Sequence, residues 1–185
     1  AMHTFTFRSL FFALAATLPM AASAPAFAAS KADLESSSKA ALNQLVAQNP
    51  GAKALNAKAV AVLVFPKVTK AGLGVGGQFG EGVLWRKGKA AGYYNTAGAS
   101  YGLQAGAQQY GYAMFFMNQK ALDSLSATQG FEVGVGPSVV VMDEGKAKNI
   151  TSGTLTEDIY AFIFSQKGLM AGLGIQGNKI TRIEK

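Results

Sequence analysis

The sequence predicts an α+β fold, mostly antiparallel β-sheet or a partial barrel of short, glycine-rich strands. Three observations support this class. All 22 glycines of the 185 residues lie at Gly51 or later, so they are concentrated in one part of the chain. Small and apolar residues alternate there with a period of two, which is the spacing of strands. A helical pattern precedes this part, and one or two short helical patterns accompany its strands.

The first 28 residues have the composition of an export signal. A weakly basic start, Met2–Arg8, precedes the apolar stretch Leu10–Leu18, and Ala26–Ala28 is a small-x-small cleavage pattern. The apolar stretch is far shorter than the roughly 20 residues that a spanning helix needs. We therefore expect cleavage before Ala29 and export, with the mature protein periplasmic, peripheral on the envelope membrane, or secreted.

Residues 29–50 are predicted to form an N-terminal amphipathic helix, with the helical pattern running from Lys31 to Ala47. Ser30 is the predicted N-cap, and Asp33 lies in the first turn, where a negative charge is favourable. One face of this helix collects the apolar side chains Leu34, Ala41, Leu42, Leu45 and Val46. Asn49, Pro50 and Gly51 end it, and a second short helix is expected over Ala52–Ala59.

Residues 51–185 are predicted to be the β-dominated part of a single domain that includes the helix. Its strands are expected at Val60–Phe65, 72–80, Gly82–Trp85, Ala91–Tyr94, Gly98–Tyr112 with an extension to Met117, Phe131–Gly136, Val139–Met142, Ile159–Phe164, Leu169–Ile175 and Ile180–Ile183. Pro66 is expected to end the first strand. The run 87–89 predicts a hairpin turn, Asn118 caps a short helix over Gln119–Leu125, and 143–146 predicts another turn.

A glycine motif occurs twice, as Ala71–Gly77 and Ala171–Gly177, and both copies fit G-x-G-x-x-G. A dinucleotide-binding loop needs this motif between a strand and a helix, with an acidic residue about 20 positions later. Too many glycines follow the first copy for a helix, and only eight residues follow the second. We interpret both copies as strands whose bare faces allow close packing, as neighbours or pseudo-symmetric partners.

The composition argues against an enzyme. The chain has no cysteine, and its single histidine, His3, lies in the export signal. The side chains that most often carry acid–base chemistry or bind transition metals are therefore missing, and we expect no metal and no cofactor. The acidic pairs 143–144 and 157–158 are adjacent in sequence, so in a strand their side chains would point to opposite faces. A hydrolase would need two carboxylates from distant segments, and this stays as a further alternative.

Three segments resemble the SYLF domain, a lipid- and actin-associated module of endocytic proteins. They are Lys58–Gly72, which includes Phe65 to Gly72 as F-P-K-V-T-K-A-G, the alternating strand Gly98–Ala107, and Ile159–Gly172. The resemblance covers about Leu34 to Ile183. It implies binding of anionic membrane lipid, with phosphoinositides as the ligands of eukaryotic relatives, and actin contact in yeast-type members. Lipid-surface binding is the property that we expect to transfer to an exported protein.

Basic residues at strand ends and turns are the candidate lipid-binding site. The formal net charge of +7 favours an anionic partner, and each cation near an anionic leaflet contributes about 1 kcal/mol. The candidates are Lys67, Lys70, Arg86, Lys87, Lys89, Lys167, Lys179 and Arg182. Lys67, Lys70 and Lys167 are preferred because they lie in the SYLF-like segments. The alternative is that these side chains are solvated turn residues that keep the protein soluble.

The leading hypothesis is a non-enzymatic protein that binds anionic phospholipid membranes through basic loops. The main alternative is a structural or protein-interaction module of the envelope, comparable to an actin-binding scaffold without lipid specificity, that contacts another envelope protein. Nucleic acid is not expected as a partner, because export separates the protein from it and no known recognition motif occurs.

Overall fold

The computed structural model describes residues 29–126, 130–142, 155–167 and 175–185. The helices are α1 (Lys31–Gln48), α2 (Pro50–Lys58) and α3 (Gln119–Asp123), the last followed by a 3₁₀ turn, Ser124–Ser126. The strands are β1 (Ala61–Arg86), β2 (Lys89–Phe116), β3 (Phe131–Glu132), β4 (Val139–Met142), β5 (Ile159–Lys167) and β6 (Lys179–Ile183). None of the helices in these ranges is long and apolar enough to cross a membrane.

The structure confirms the predicted N-cap and start of the N-terminal helix. Ser30 Oγ accepts a hydrogen bond from the Asp33 backbone N–H at 3.1 Å, and α1 begins at Lys31 as predicted. Asn49 serves both helices: its N–H caps the end of α1, and its Oδ1 accepts from the Ala52 N–H at 3.0 Å. Because Pro50 needs no hydrogen-bond partner for its nitrogen, α2 starts immediately after this cap.

Strands β1 and β2 form one long antiparallel ribbon joined by a two-residue turn. Lys87 and Gly88 have φ values of 49° and 75°, which are typical of the type I′ hairpin. This confirms the predicted turn. The strands themselves differ from prediction, because they are 26 and 28 residues long and not a series of short strands. Their register runs from Arg86 opposite Lys89 to Ala61 opposite Phe116.

The expectation that Pro66 ends the first strand was wrong. Strand β1 continues through it, and the pairing register with β2 shifts between Phe65 and Val68. A proline cannot donate to a ladder hydrogen bond, so a bulge is one of the few strand positions that tolerate it. The proline therefore marks an irregularity within β1 and not its end.

The ribbon bends back on itself near the first glycine motif. A side chain at Gly72 would lie 2.3 Å from the Gly76 Cα, so this part of β1 turns too sharply for any other residue. Beyond the bend, a Cβ at Gly82 would lie 2.6 Å from the Phe65 ring. These contacts confirm that bare strand faces allow close packing at this copy. No helix follows Gly77, as expected for a strand and not for a nucleotide loop.

The described strands form a curled, mostly antiparallel half-barrel, which confirms the predicted fold class. Their order is β3-β6-β2-β5-β4, with β1 on the other edge of β2. Strand β6 pairs with residues 93–97 of β2, and β5 pairs with residues 109–116. The pairing of β4 with β5 is parallel and is the exception.

The sheet separates two apolar cores. The inner core lies within the fold of the ribbon and contains Phe65, Val68, Leu84, Tyr110, Tyr112, Met114 and Ile180 among others. The outer core lies beneath α1 and α2 and contains Leu42, Leu45, Leu55, Val64, Phe115 and Phe162 among others. Alternate residues of one strand, such as Val64 and Phe65, therefore enter different cores, as the pleat requires.

Some of the elements after β2 have the predicted bounds, and others differ from them. Asn118 Oδ1 accepts from the Ala121 N–H at 2.8 Å and caps α3 as expected. Strand β4 has the predicted bounds, whereas β3 spans two residues and not the predicted 131–136. Gly134 and Gly136, both at φ 98°, turn the chain away from the strand. The predicted strand 169–175, the turn at 143–146 and most of the second glycine motif lie outside the described residues.

Candidate functional site

A basic opening lies between the hairpin turn and the two N-terminal helices. We call it the hairpin pocket. It has a volume of about 420 Å³ and is lined by Lys39, Leu42, Asn43, Val46, Asn56, Ala59, Val60, Ala61, Val62, Trp85, Arg86, Lys87 and Gly88. Residues 39, 42, 43 and 46 recur at helical spacing, so they present one face of α1 to the opening. The volume falls within the range of small-ligand sites.

The tight turn places its basic side chains in solvent. Arg86, Lys87 and Lys89 are all exposed, because a two-residue turn leaves the end of the ribbon uncovered. The Arg86 guanidinium donates to Gln119 Oε1 at 3.0 Å, which connects the turn to the start of α3. The sequence prediction placed these three cations together at a turn, and the structure brings them together there.

Trp85 lines the hairpin pocket, and a hydrogen bond holds its ring in place. Its indole Nε1 donates to Ser38 Oγ at 2.8 Å, and Ser38 is fully buried on the side of α1 that faces the sheet. Lys39 Nζ lies 4.7 Å from the centre of the Trp85 ring, within cation–π range. Sequence reasoning missed Lys39, because Lys39 lies off the apolar face of α1 and the sequence does not show which strand α1 would cover.

The charge of the hairpin pocket is uniformly positive. Its lining includes Lys39, Arg86 and Lys87 and contains no carboxylate. Asn43 and Asn56 add amide groups that can donate or accept hydrogen bonds. A planar guanidinium can bind two oxygens of a phosphate at once, and a lysine ammonium adds a mobile positive charge. The arrangement is therefore suited to an anionic group, and in particular to a phosphate.

A second opening lies along the other flank of α1. We call it the helix groove. It has a volume of about 780 Å³ and is lined by Ala29, Leu34, Ser37, Ala40, Ala41, Gln44, Pro66, Lys67, Thr69, Phe79, Gly80, Glu81 and Phe164. Glu81 is paired with Lys185 at 2.9 Å, whereas no ion pair in the described ranges involves Lys67. Phe79 is 53% exposed beside this groove, and Val75 in the same strand is 65% exposed.

A curved row of hydrogen-bonded side chains, which we call the polar ring, crosses the inner core from Tyr112 to Tyr110. The Tyr112 hydroxyl donates to Thr96 Oγ1 at 2.6 Å, and Asn178 Nδ2 donates to the same oxygen at 3.3 Å. Gln78 Nε2 donates to Asn178 Oδ1, and the Tyr110 hydroxyl donates to Gln78 Oε1. Burial raises the pKa of Tyr110 to about 12 and raises that of Tyr112 further. Both phenols therefore remain neutral donors at physiological pH.

Sequence reasoning missed this ring, although a signal was present. Gln78 and Thr96 lie at positions whose side chains point to the same face as Tyr110 and Tyr112. A row of polar residues on a face shared with buried aromatics indicates an internal hydrogen-bond network. Recognising it required the knowledge that the ribbon folds over, which brings residues 78 and 96 opposite residues 110 and 112.

The predicted basic residues do not form one patch. Arg86, Lys87 and Lys89 lie at the hairpin turn, and Lys67 lies beside the helix groove. Lys179 and Arg182 are exposed on β6, three positions apart, so their side chains start from opposite faces. Lys167 ends β5 opposite Gln109.

Lys70 differs most from its expected place. It was predicted at a basic, membrane-facing site, but its side chain is only 3% exposed within β1. The register shift after Phe65 places it on the inner face with Val68. Its expected position at the surface was therefore wrong, whereas a lipid-binding role for Lys70 stays a prediction.

Acidic side chains were the remaining candidates for a metal or for catalysis. The described residues contain no group of three or more histidine, cysteine, aspartate and glutamate side chains that could hold a metal. Asp158 has its pKa lowered by hydrogen bonds from Asn118 and from the backbone of Ser138, so it serves as a structural acceptor at the start of β5. The described part of the half-barrel thus presents a basic pocket and, along the other flank of α1, the helix groove.

Comparison with known families gives the more specific assignment. Residues 97–185 match the family described as "Ysc84: Las17-binding protein actin regulator". The match confirms the SYLF resemblance over these residues and supports a binding module. A comparison with curated proteins gave no match.

Proposed function

We propose that this protein binds anionic membrane lipid at the cell envelope, without catalysis, and that the hairpin pocket receives the head group. One observation carries the proposal: Lys39, Arg86 and Lys87 surround a single opening that has no carboxylate in its lining. At about 1 kcal/mol for each cation near an anionic leaflet, the three supply about 3 kcal/mol. Binding of this kind is weak and sensitive to salt.

Trp85 supports the same proposal. Tryptophan favours the boundary between an aqueous and an apolar phase, because its ring is largely apolar and its N–H needs a partner. Here the N–H is already bonded to Ser38, so the ring can meet an interface without losing a hydrogen bond. The envelope location follows from the export-type residues 1–28 and is part of the proposal.

Vesicle sedimentation tests this function. We expect binding to vesicles of phosphatidylcholine containing phosphatidylglycerol, little binding to phosphatidylcholine alone, and weakening as salt is raised. Reversal of both Arg86 and Lys87 to Glu should reduce the affinity at least about tenfold. The matched control reverses Lys179 and Arg182, which changes the net charge equally but lies away from the hairpin pocket. Equal losses in the two double variants would show that only net charge matters.

A protein partner is the second candidate. Val75 and Phe79 lie four positions apart on β1 and are both more than half exposed, and exposed apolar side chains on one strand can mark an interaction surface. The description of the matched family names Las17 binding and actin regulation, so protein contact is within its known range. This function predicts association that salt does not weaken and that is lost when both Val75 and Phe79 are changed to Ser. Crosslinking in envelope extracts would detect it.

A further inference from the structure

The helix groove has an apolar lining that the fold leaves open to water. Leu34 of α1 is buried in its wall, and Pro66 of β1 and Phe164 of β5 are half-buried there. The Phe79 ring lines the same groove and is 53% exposed. An aromatic ring in water forgoes the free energy that burial would provide, and an apolar ligand in the groove would recover it.

The charged side chains of the groove differ in their availability. The Glu81 carboxylate pairs with Lys185 Nζ at 2.9 Å, so its charge is neutralised within the protein. Lys67 is exposed and forms no ion pair with any residue that the structure describes. The groove therefore combines an apolar surface with one available positive charge, an arrangement that complements a molecule with an apolar chain and an anionic head.

An extended peptide fits this groove less well than a hydrocarbon chain. Pro66 has no N–H to offer an added strand, and the register of β1 shifts between Phe65 and Val68. The Ser37 hydroxyl already donates to the Asp33 carbonyl oxygen at 2.8 Å. A peptide backbone that left water here would lose hydrogen bonds without replacing them, which is costly. A hydrocarbon chain has no such groups to satisfy.

We propose that the helix groove binds a lysophospholipid, with its acyl chain against Leu34, Phe79 and Phe164 and its phosphate at Lys67. The volume of about 780 Å³ lies within the range of pockets that enclose one small ligand, which favours a lipid with a single chain. The site lies on the opposite flank of α1 from the hairpin pocket and does not depend on head-group binding there.

Calorimetric titration of the full chain with lysophosphatidylglycerol, below its critical micelle concentration, is the first test. The affinity should rise about fourfold for each methylene between the decanoyl and lauroyl forms, because each added group is buried. Lysophosphatidylcholine of the same chain length should bind about fivefold more weakly, since its head group has no net charge for Lys67 to attract. Bound lipid should also raise the Tm.

A bulky side chain in the groove tests the position of the acyl chain. Ala40 is an exposed residue of α1 that lines the groove, so Ala40→Trp should fill part of it and weaken lysophosphatidylglycerol binding at least about tenfold. Ala47→Trp is the matched control, because Ala47 is exposed on the same helix and lines neither the groove nor the hairpin pocket. It should bind as the unaltered protein does.

The position of the head group is tested separately at an exposed residue that is safe for folding. Lys67→Gln should weaken lysophosphatidylglycerol binding about fivefold and leave lysophosphatidylcholine binding unchanged. Lys53→Gln makes the same change of charge at an exposed position of α2 that does not line the groove, and it should change neither affinity.

The proposal is overturned if the unaltered protein does not bind lysophosphatidylglycerol, if the affinity does not depend on chain length, or if Ala40→Trp and Ala47→Trp bind equally. The groove would then be a surface for a protein partner. Vesicle sedimentation keeps this result apart from the hairpin pocket: Ala40→Trp should still sediment with phosphatidylglycerol vesicles, because head-group binding there does not use the groove.

Discussion

The Tyr112 hydroxyl donates to Thr96 Oγ1 at 2.6 Å, although both residues belong to the same strand, β2. Two residues sixteen positions apart in a straight strand would be separated by about 50 Å. Their contact therefore shows that β2 folds back on itself between Thr96 and Tyr112. The polar ring exists only because of this fold, and it joins the two halves of the ribbon to β6 through Asn178.

Thr96→Val should destabilise the protein by about 1–3 kcal/mol, because Thr96 Oγ1 accepts hydrogen bonds from both Tyr112 and Asn178. The change keeps the shape of the side chain and removes only the acceptor. Chemical denaturation would measure it. Thr69→Val, at an exposed position of β1, is the control and should stay within about 0.5 kcal/mol of the unaltered protein. Equal stabilities of the two variants would contradict the role of the ring.

Gly98→Ala should destabilise by about 1–3 kcal/mol through overpacking. The added methyl would lie 2.1 Å from Asn178 Oδ1 and 3.1 Å from Gln78 Nε2, so the hydrogen bond between Gln78 and Asn178 would be disrupted. Gly77→Ala, in the opposite strand, is the control because its methyl would have only an ordinary contact at 3.8 Å. Unfolding curves of the two variants should differ clearly in midpoint; coincident curves would argue against a stabilising hydrogen bond between Gln78 and Asn178.

Stability should fall as pH rises from about 10 to about 12. Burial raises the pKa of Tyr110 from 10.0 to about 12, so the unfolded chain releases its phenolic proton while the folded chain still retains it. The unfolded state then binds fewer protons, and rising pH favours it, by up to about 3 kcal/mol for this one group. Tyr110→Phe should show a smaller loss over the same interval. If Tyr110→Phe loses as much stability as the unaltered protein over this pH interval, ionisation of Tyr110 is not the cause of the loss.

Trp85 should report head-group binding directly, because it is the only tryptophan in the chain. We expect its fluorescence to change on addition of anionic vesicles and to stay constant with zwitterionic ones. Lys39→Gln should reduce the affinity but retain the spectral change, since Lys39 lies over the ring whereas Ser38 holds it in place. An unchanged spectrum at saturating vesicle concentration would place binding elsewhere on the protein.

Local signals predicted the parts of this fold that depend on neighbours in sequence. Ser30 as a cap, Asn118 as a second cap and the turn at Lys87 and Gly88 each act within four residues, and each lies where the sequence placed it. Strand alternation also predicted a mostly antiparallel sheet. These features were accessible because hydrogen-bonding side chains and positive φ values act over short distances.

Features that depend on the folded ribbon were not accessible in the same way. A proline is an ordinary strand terminator, and only pairing with β2 shows that Pro66 lies in a bulge. The bulge sets which face receives Lys70, so a lysine expected at the surface lies in the interior. Lys39 was missed at the hairpin pocket for a related reason, because helix periodicity gives its face but not which strand lies beneath it.

The polar ring also has a consequence for the order of assembly. Pairing of β1 with β2 can start at the turn formed by Lys87 and Gly88. This pairing is fast, because the first partners are close in sequence. Gln78 and Asn178, in contrast, are 100 residues apart. During synthesis the Gln78 amide therefore stays hydrated until almost the whole chain has been made. We expect the half-barrel to close last at β6. A nascent chain that lacks its final residues should therefore retain water in the inner core.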